Sequence, residues 1–221
     1  EIMNSLFPDT CYGVESGGDP DCIPDLTYEQ FLAFHSTLYH PANSFIYLYG
    51  NMDVWEKLLF IHESYLKAFS LEDKGIAELD TRIQEQTAFE ACKELSKPYP
   101  VMEGEDTVGK AFLTYNMVTG TSLDAELCTA LEILDYALCS APGAPLKQAL
   151  VDAGIGKDVY SNFEDGIYQP YFSIVAKDAD ASQKEQFVAI IEGELKRIVA
   201  EGFDKKTIQA ALHYFEFRYK E

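Results

Sequence analysis

The alternation of apolar and polar positions is most regular over residues 26–53, where it predicts a helix, a strand and a second helix. Thr27 and Gln30 have the spacing of a capping box, in which the two side chains satisfy backbone groups of the first helical turn. Apolar side chains then recur every three or four residues until Pro41, which lacks the amide hydrogen that would continue a helix. We therefore expect a helix that begins at Thr27 and buries one face, with His35 packed on that face.

A short apolar run at residues 45–49 follows this helix. It is apolar on both faces, which is typical of a strand buried between two layers. Gly50 then turns the chain, and Asp53 opens a second helix whose apolar positions continue to Phe69. Residues 70–109 are less regular, and we interpret them as a linker with a short helix at 87–95.

The second half of the chain shows another mixture of strands and helices. The pattern predicts a strand at 111–118, a leucine-rich helix capped by Thr121 and Asp124, and a short helix from Pro145 to Gly154. A hairpin is indicated at 159–176, and a long helix from Ser182 ends at Gly202 before a last helix capped by Asp204. Strands and helices in this order indicate an α+β fold, with helices on one face of a mostly antiparallel sheet.

Charge narrows the classes of partner. The chain carries 37 acidic residues against 17 lysines and arginines, a formal net charge of −20. Nucleic acid and anionic membrane surfaces both need a positive surface, so we expect neither as a partner. Basic peptides remain compatible with this balance, although an acidic surface that serves solubility alone explains it equally directly. No run of about eighteen uncharged apolar residues is present, so we expect no membrane span.

The candidate residues for catalysis do not assemble into an active site. His62 and Glu63 begin like the zinc motif HExxH, but Leu66 occupies the place of the second histidine. No serine lies in a GxSxG motif, and Cys128 and Cys139 fall in an apolar helical segment that is typical of a core. Five cysteines without a CxxC pair favour reduced thiols in a cytosol-like compartment. We expect no catalytic residue and no metal site in this chain.

A glycine-containing loop near the start is the remaining candidate. Its residues are Tyr12, Ser16, Gly17, Gly18 and Asp19. Adjacent glycines let a backbone approach another surface closely, which favours a loop that borders a substrate cleft. A surface connection without function explains the same residues.

A family resemblance is carried by the segment at residues 6–53, LFPDTCYGVESGGDPDCIPDLTYEQFLAFHSTLYHPANSFIYLYGNMD. This stretch resembles the M16 metallopeptidases, the insulinase and pitrilysin family, and most closely their presequence-protease branch. The second half is similar as well, through Ala144-Pro145-Leu146 and Gly154-Ile155-Gly156. The resemblance implies homologous α+β domains that enclose a chamber for unfolded peptides, with zinc held by an HxxEH motif and a distal glutamate. Neither is expected in this chain.

The resemblance also implies an internal segment of a longer zinc peptidase. Residues 1–70 would close a first M16-like domain, 71–109 would be a linker, and 110–221 would form most of a second domain. The expected role is chamber wall, with the loop at Tyr12 to Asp19 facing peptide substrates; an inactive M16-like scaffold or binding module is the alternative. The expected partners are peptides, basic ones included, and the remaining domains of the longer chain. We expect a cytoplasmic protein, with the mitochondrial matrix or plastid stroma as alternatives, and the truncated surface makes a dimer plausible in isolation.

Overall fold

A computed structural model describes residues 1–73 and 80–220, and the chain divides into two compact units. The sheet unit comprises Glu1–Gly13 and Glu85–Glu221, and the helical unit comprises Val14–Gln84. The helices and strands are α1 (Ile2–Leu6), α2 (Tyr28–Leu38), α3 (Val54–Ser64), β1 (Ala111–Val118), α4 (Ala125–Asp135), α5 (Pro145–Asp152), β2 (Asp158–Glu164), β3 (Tyr171–Ala179), α6 (Lys184–Glu201) and α7 (Lys205–Arg218).

The three strands form one antiparallel sheet in the order β1-β3-β2. The predicted hairpin is confirmed, because β2 and β3 pair directly and Ser161 lies opposite Ile174. The central strand β3 is buried over most of its length, whereas β1 and β2 alternate between buried and more exposed positions. The predicted α+β class with a mostly antiparallel sheet is therefore confirmed.

The core of the sheet unit lies between one face of the sheet and the helices α5 and α6. Fully buried side chains come from both layers: Leu146 and Leu150 from α5, Phe187 and Ile191 from α6, and Ile174 from β3. The long helix buries Phe187, Ile191 and Ile198 at helical spacing against the sheet, whereas Val199, which the apolar pattern also includes, is 88% exposed. Burial of such side chains contributes about 1.5–3 kcal/mol each.

Three helices of the sheet unit begin after an aspartate whose carboxylate caps the first turn, and two of these starts differ from the predicted ones. The cap at Asp204 is confirmed, where the carboxylate accepts from the backbone amides of Lys206 and Thr207. The leucine-rich helix begins after Asp124 and not at Thr121, and it continues as a π-helical turn over Tyr136–Ser140. The long helix is preceded by a capping box of Asp180 with Gln183, so the predicted start at Ser182 is wrong. An ionised carboxylate accepts a stronger hydrogen bond than a hydroxyl does.

The helical unit contains both predicted helices, but α3 ends at Ser64 and not at Phe69, and the buried face expected for the first helix is wrong because α2 has no buried residue. Thr27 Oγ1 accepts from the backbone amide of Gln30, and the backbone amide of Thr27 donates to Gln30 Oε1. Asp53 caps α3. The strand predicted at 45–49 is wrong for this chain, because these residues have no regular secondary structure, pair with no strand of the described structure and have exposed side chains. A strand forms only where its backbone hydrogen-bonds to a neighbouring strand, and the local sequence does not show whether such a strand is present. The predicted packing of His35 is also wrong: its ring is exposed and stacks on Tyr39 with centroids 4.6 Å apart.

His40 is the buried histidine of the helical unit. Its Nδ1 accepts from the amide of Ala42 at 3.1 Å, so the ring hydrogen lies on Nε2, which donates to Asp73 Oδ2 at 3.0 Å. Phe69 packs edge-on against the ring at 5.0 Å between centroids. His40 therefore caps the amide of Ala42 and links residue 40 to Asp73 near the other end of the helical unit.

The short helix predicted at 87–95 is wrong, because this described stretch has no regular secondary structure and bends at residues 90–91. Tertiary contacts account for the difference. The carboxylate of Glu94 binds Lys184 at 2.6 Å, and the backbone of Gln86 pairs with the side chain of Gln169. These partners are distant in sequence, so the local spacing of residues does not predict them. Residues 74–79 of the predicted irregular segment lie outside the described residues.

Candidate functional site

The two faces of the three-stranded sheet differ in what covers them. One face packs on α5 and α6, while the register places a second set of side chains together on the opposite face. This opposite face, called the open face below, is formed by Thr114, Asn116, Tyr160, Asn162, Ser173 and Val175. It arises because successive side chains of a strand point to opposite sides.

A row of neutral polar side chains crosses the middle of the open face. Asn116, Ser173 and Asn162 lie directly opposite one another on β1, β3 and β2. Ser173 Oγ donates to Asn116 Oδ1 at 2.7 Å, and Asn116 Nδ2 donates to Thr114 Oγ1 at 3.0 Å. Because Thr114 and Asn162 are exposed, amide and hydroxyl groups here are available to a ligand that carries both donors and acceptors. An extended peptide backbone is such a ligand.

Charged groups lie at the ends of the open face and not in its middle. Lys177 pairs across the strands with Asp158 at one end, and Glu164 lies opposite Tyr171 at the other. Between these two ends, Val175 on β3 lies opposite Tyr160 on β2, next to the polar row. Tyr160 is 41% exposed. The middle of the face can therefore contact a peptide without selecting for its charge.

The start of the chain covers the Tyr171 end of the open face. Phe7 packs edge-on against Tyr171 with ring centroids 6.1 Å apart, and Tyr12 packs on Phe7 at 5.7 Å. The hydroxyl oxygen of Tyr12 accepts from the backbone amide of Tyr168 at 3.1 Å. The first of the five predicted substrate residues is thus placed beside the open face, where it also has a structural role.

A network of side-chain amides fixes this end of the sheet unit. The backbone amide of Gln86 donates to Gln169 Oε1 at 2.6 Å, and Gln169 Nε2 donates back to the carbonyl of Gln86 at 3.3 Å. Gln86 Nε2 donates to the carboxylate of Asp9 at 2.7 Å, while Gln86 Oε1 accepts from the backbone amide of Asp9 at 2.9 Å. Both glutamines are buried, so these bonds are shielded from water. The segments around Asp9 and Gln86 are thereby held against the end of β3.

The other four predicted substrate residues belong to the helical unit. Ser16, Gly17, Gly18 and Asp19 are all exposed. Gly18 has a φ of +86°, a backbone conformation that suits glycine, and Asp19 Oδ1 accepts from the amide of Asp21 at 2.9 Å. The loop is therefore a turn whose side chains are exposed and in which the Asp19 carboxylate is bonded to the backbone.

Buried titratable groups on the helix side of the sheet do not form a catalytic set. Burial raises the pKa of the Cys139 thiol to about 11, so the thiol stays protonated and is a poor nucleophile. Burial also raises the pKa of the nearby Asp135 carboxyl. Asp135 Oδ1 and Ser161 Oγ are buried atoms for which the described structure offers no hydrogen-bond partner. These residues shape the core under β2.

The described residues do not fit a zinc centre. Within residues 1–73 and 80–220, no group of three or more His, Cys, Asp or Glu side chains is placed to hold a metal ion. The sequence also lacks the HxxEH motif of the resembling peptidases. No step of a zinc-dependent reaction can therefore be assigned to this chain's described residues.

Sequence analysis missed the open face. The signal was present as polar residues at alternate positions of two predicted strands, Thr114 and Asn116 on β1 and Tyr160 and Asn162 on β2. Alternation predicts that such residues share a face within one strand. That the two strands flank β3, so that their polar faces join across Ser173, is decided by the sheet order.

Comparison with known proteins identifies the family. Residues 25–214 match the family described as the peptidase M16 inactive domain. This chain belongs to that family. Protein HypA of Clostridium perfringens is 43% identical over 221 residues, which are 100% of this chain and 22% of that protein. Presequence protease 1, chloroplastic/mitochondrial, of Arabidopsis thaliana is 33% identical over 99% of this chain and 20% of its own length.

Two solved structures share the fold. An M16-like peptidase from Alicyclobacillus acidocaldarius matches 99% of this chain and 49% of its own, with a TM-score of 0.59 and 20% identity. A peptidase M16 inactive domain from Pseudomonas fluorescens matches 100% of this chain and 50% of its own, with a TM-score of 0.60 and 17% identity. The chain thus spans about a fifth of the length of the curated relatives it matches. Among its described helices, none is long and apolar enough to cross a bilayer.

Proposed function

We propose that this non-catalytic M16-like segment forms part of the wall of a substrate chamber in a zinc-dependent peptidase that degrades unfolded peptides. The open face would border that chamber. The observation that carries the proposal is the polar row on the side of the sheet opposite α5 and α6, where the exposed Asn162 and the half-buried Asn116 flank the buried Ser173 and offer their amide groups. Two relatives of this chain are named presequence proteases, which supports a peptide as the ligand.

The chemistry of the open face suits unfolded peptides of varied sequence. Backbone amides and carbonyls occur in every peptide, and Asn116 and Asn162 can bind both. Charged side chains are confined to the ends of the face, at Lys177, Asp158 and Glu164. Contacts with the peptide backbone bind a substrate whatever its side chains are. An enzyme that degrades peptides of varied sequence requires this tolerance.

The domain organisation is part of the same proposal. Residues 1–70 would close a first M16-like domain, 71–109 would link, and 110–221 would supply most of a second domain. The whole chain matches about half of each solved M16 structure, which supports a segment of a larger chain of this fold, while residues 1–13 and 85–109 pack with the sheet unit. The zinc ligands would then lie in other parts of the longer polypeptide. About four fifths of the length of each curated relative lies outside the part that matches this chain.

Three further expectations belong to this proposal. Tyr12, with Ser16, Gly17, Gly18 and Asp19, would contact substrate from the rim of the chamber. The net charge of −20 would draw basic peptides towards it. The longer protein would reside in a reducing, cytoplasm-like compartment, with the mitochondrial matrix or plastid stroma as alternatives that the names of its relatives favour.

The test uses the full-length peptidase and the double substitution Asn116→Ala with Asn162→Ala. Loss of about 1 kcal/mol for each of the two polar contacts raises KM for an unfolded peptide about thirtyfold and leaves kcat nearly unchanged. Gln148→Ala on α5 is the matched control, an exposed amide on the helix side of the sheet, and it leaves KM unaltered. An unchanged KM in the double variant rejects the wall assignment. A full-length protein that cleaves no peptide, with or without added zinc, supports the inactive scaffold in its place.

A further inference from the structure

The π-helical turn over Tyr136–Ser140, called the π turn below, interrupts the regular hydrogen bonding at the end of α4. Its closing bond runs from the backbone amide of Ala141 to the carbonyl oxygen of Tyr136, five residues earlier, at 2.7 Å. Residues 137–139 of the turn are buried in the sheet unit. Single π turns are rare in helices and occur frequently at functional sites, so the side chains around this one are candidates for a role beyond packing.

Two buried oxygen atoms beside the π turn lack partners. Asp135 Oδ1, at the end of α4, and Ser161 Oγ, in the middle of β2, have no hydrogen bond within the described residues. Burial raises the pKa of the Asp135 carboxyl and of the Cys139 thiol, and the nearby Ser161 hydroxyl opposes this rise in both. Three polar side chains from α4, the π turn and β2 therefore converge in one buried place. Buried polar atoms without partners are rare in native proteins, and each needs an explanation.

No charge on a packed element compensates the Asp135 carboxyl. β2, α5 and α7 all contact α4 or the π turn, yet among the described residues none of their charged groups contributes to the raised pKa of Asp135. Their titratable side chains near this place have other surroundings: Asp158, Tyr160 and Glu164 of β2, Lys147 of α5, and Tyr214 and Tyr219 of α7. The three on β2 alternate with Ser161 and lie on the opposite face of the sheet. Lys147 lies near the Cys139 thiol, and the two tyrosines of α7 contact Tyr136 and Glu132.

We propose that the π turn is a proton-dependent switch: it is held against β2 while the Asp135 carboxyl is protonated, and it is released when that carboxyl gives its proton to the solvent. A neutral carboxyl can be buried beside one hydroxyl, whereas a carboxylate needs several hydrogen-bond donors or water. Within the described residues, Ser161 supplies the one donor that affects Asp135. Release of one irregular turn brings the carboxylate to water and leaves the regular parts of α4 and β2 intact.

The switch connects two surfaces of the sheet unit. The ring of Tyr136 stacks on that of Tyr214 with centroids 4.5 Å apart, so release of the turn changes the support of α7. On the other side, Ser161 lies between Tyr160 and Asn162, whose side chains belong to the open face. The switch is independent of the proposed chamber wall, because it depends on contacts on the helix side of the sheet alone.

The test is amide hydrogen exchange of the full-length protein over residues 136–141, with exchange times scaled for the intrinsic effect of pH. Release is suppressed in acid and becomes easier as pH rises through the raised pKa of Asp135. Protection of this segment in the unsubstituted protein is therefore expected to fall at least about threefold between pH 5 and pH 7. Protection that does not change with pH overturns the proposal. A fall no larger at 136–141 than in the rest of the sheet unit would show general destabilisation and overturns it as well.

Two substitutions are expected to act in opposite directions at pH 7. Asp135→Asn cannot ionise, so it should protect 136–141 at pH 7 as strongly as the unsubstituted protein does at pH 5. Ser161→Ala removes the hydroxyl that favours the ionised carboxyl, so it should lower protection at pH 7 at least about threefold. Asp152→Asn, at an exposed aspartate of α5, is the matched control and should leave the pH profile unchanged.

The same pH profile in the Asp135→Asn variant and in the unsubstituted protein overturns the switch. Equal protection at pH 7 in the Ser161→Ala variant and the unsubstituted protein would also contradict it, because the ionised carboxyl would then not depend on its one donor. The Asn116 and Asn162 variants leave exchange over 136–141 unaltered, so failure of the chamber-wall proposal is distinguishable from failure of this one.

Discussion

The sheet unit and the helical unit contain helices of similar apolar periodicity but bury them to very different extents. In the sheet unit, Leu150 on α5 and Ile191 on α6 are completely buried against the sheet. In the helical unit, Leu58 and Leu59 on α3 are exposed, although they occupy equally regular positions. The difference shows that periodicity specifies a helix and the face it will bury, while a core also requires a second layer of matching shape.

The largest expected effect is a core substitution. Leu150→Ala leaves a cavity in a closed core and is expected to lower the free energy of unfolding of the sheet unit by about 3 kcal/mol. Leu59→Ala, on the exposed face of α3, is expected to change stability by less than about 1 kcal/mol. Denaturant unfolding, with hydrogen exchange assigning the loss to each unit, measures both. Equal losses would show that the helical unit has a core of its own in this chain.

Backbone conformation provides the second comparison. Gly156 has a φ of +66°, and a Cβ there would lie 2.7 Å from the carbonyl oxygen of Lys177 on β3. Gly156→Ala is therefore expected to destabilise the sheet unit by about 2 kcal/mol. Gly193→Ala, inside α6 with open space around it, is expected to stabilise by about 0.5–1 kcal/mol. Thermal unfolding distinguishes them by opposite shifts in Tm, and shifts of the same sign would contradict the prediction.

Helix capping tests whether equal local interactions have unequal consequences. Asp53 accepts from the amide of Glu56 in the helical unit, and Asp204 accepts from the amides of Lys206 and Thr207 in the sheet unit. Replacing either aspartate by alanine removes about 1 kcal/mol of helix stability. We expect Asp204→Ala to lower the global unfolding free energy, and Asp53→Ala to increase local exchange in α3 alone. A global loss from Asp53→Ala would indicate cooperative folding of the two units.

The smallest effects are titrations of opposite sign. Burial raises the pKa of Asp135, because the ionised carboxylate loses contact with water. The folded protein is therefore destabilised by this group as pH rises through the raised pKa, and the destabilisation disappears as pH falls through it. A backbone hydrogen bond from Ser70, and then one from His40, lowers the pKa of Asp73, whose contribution is present above its ordinary value and lost in acid. Asp135→Asn should stabilise the sheet unit near pH 7 and flatten its acid dependence. Asp73→Asn should instead lower stability slightly near pH 7 and remove the loss in acid that this carboxylate causes. Urea midpoints from pH 7 to pH 4 provide the measurement.

The accuracy of prediction from sequence followed the range of the interactions. Thr27, Asp53 and Asp204 were predicted correctly as caps because a cap acts within three residues of the chain. The segment 87–95 was predicted wrongly as a helix because Lys184 binds Glu94 from a distant part of the sequence. The open face escaped prediction for the same reason: Asn116 and Asn162 are brought together by β3.

The sequence by itself determined the local elements of this protein: where most helices begin, which stripe of each is apolar, and that β2 and β3 form a hairpin. These features depend on neighbouring residues, whose spacing is fixed by the covalent chain. The tertiary structure decided that β3 lies between β1 and β2, that Asn116, Ser173 and Asn162 form one polar row, and that the apolar run at 45–49 lies exposed. Those outcomes depend on which distant segments are present to pair, and pairing is a property of two surfaces that neither segment encodes alone.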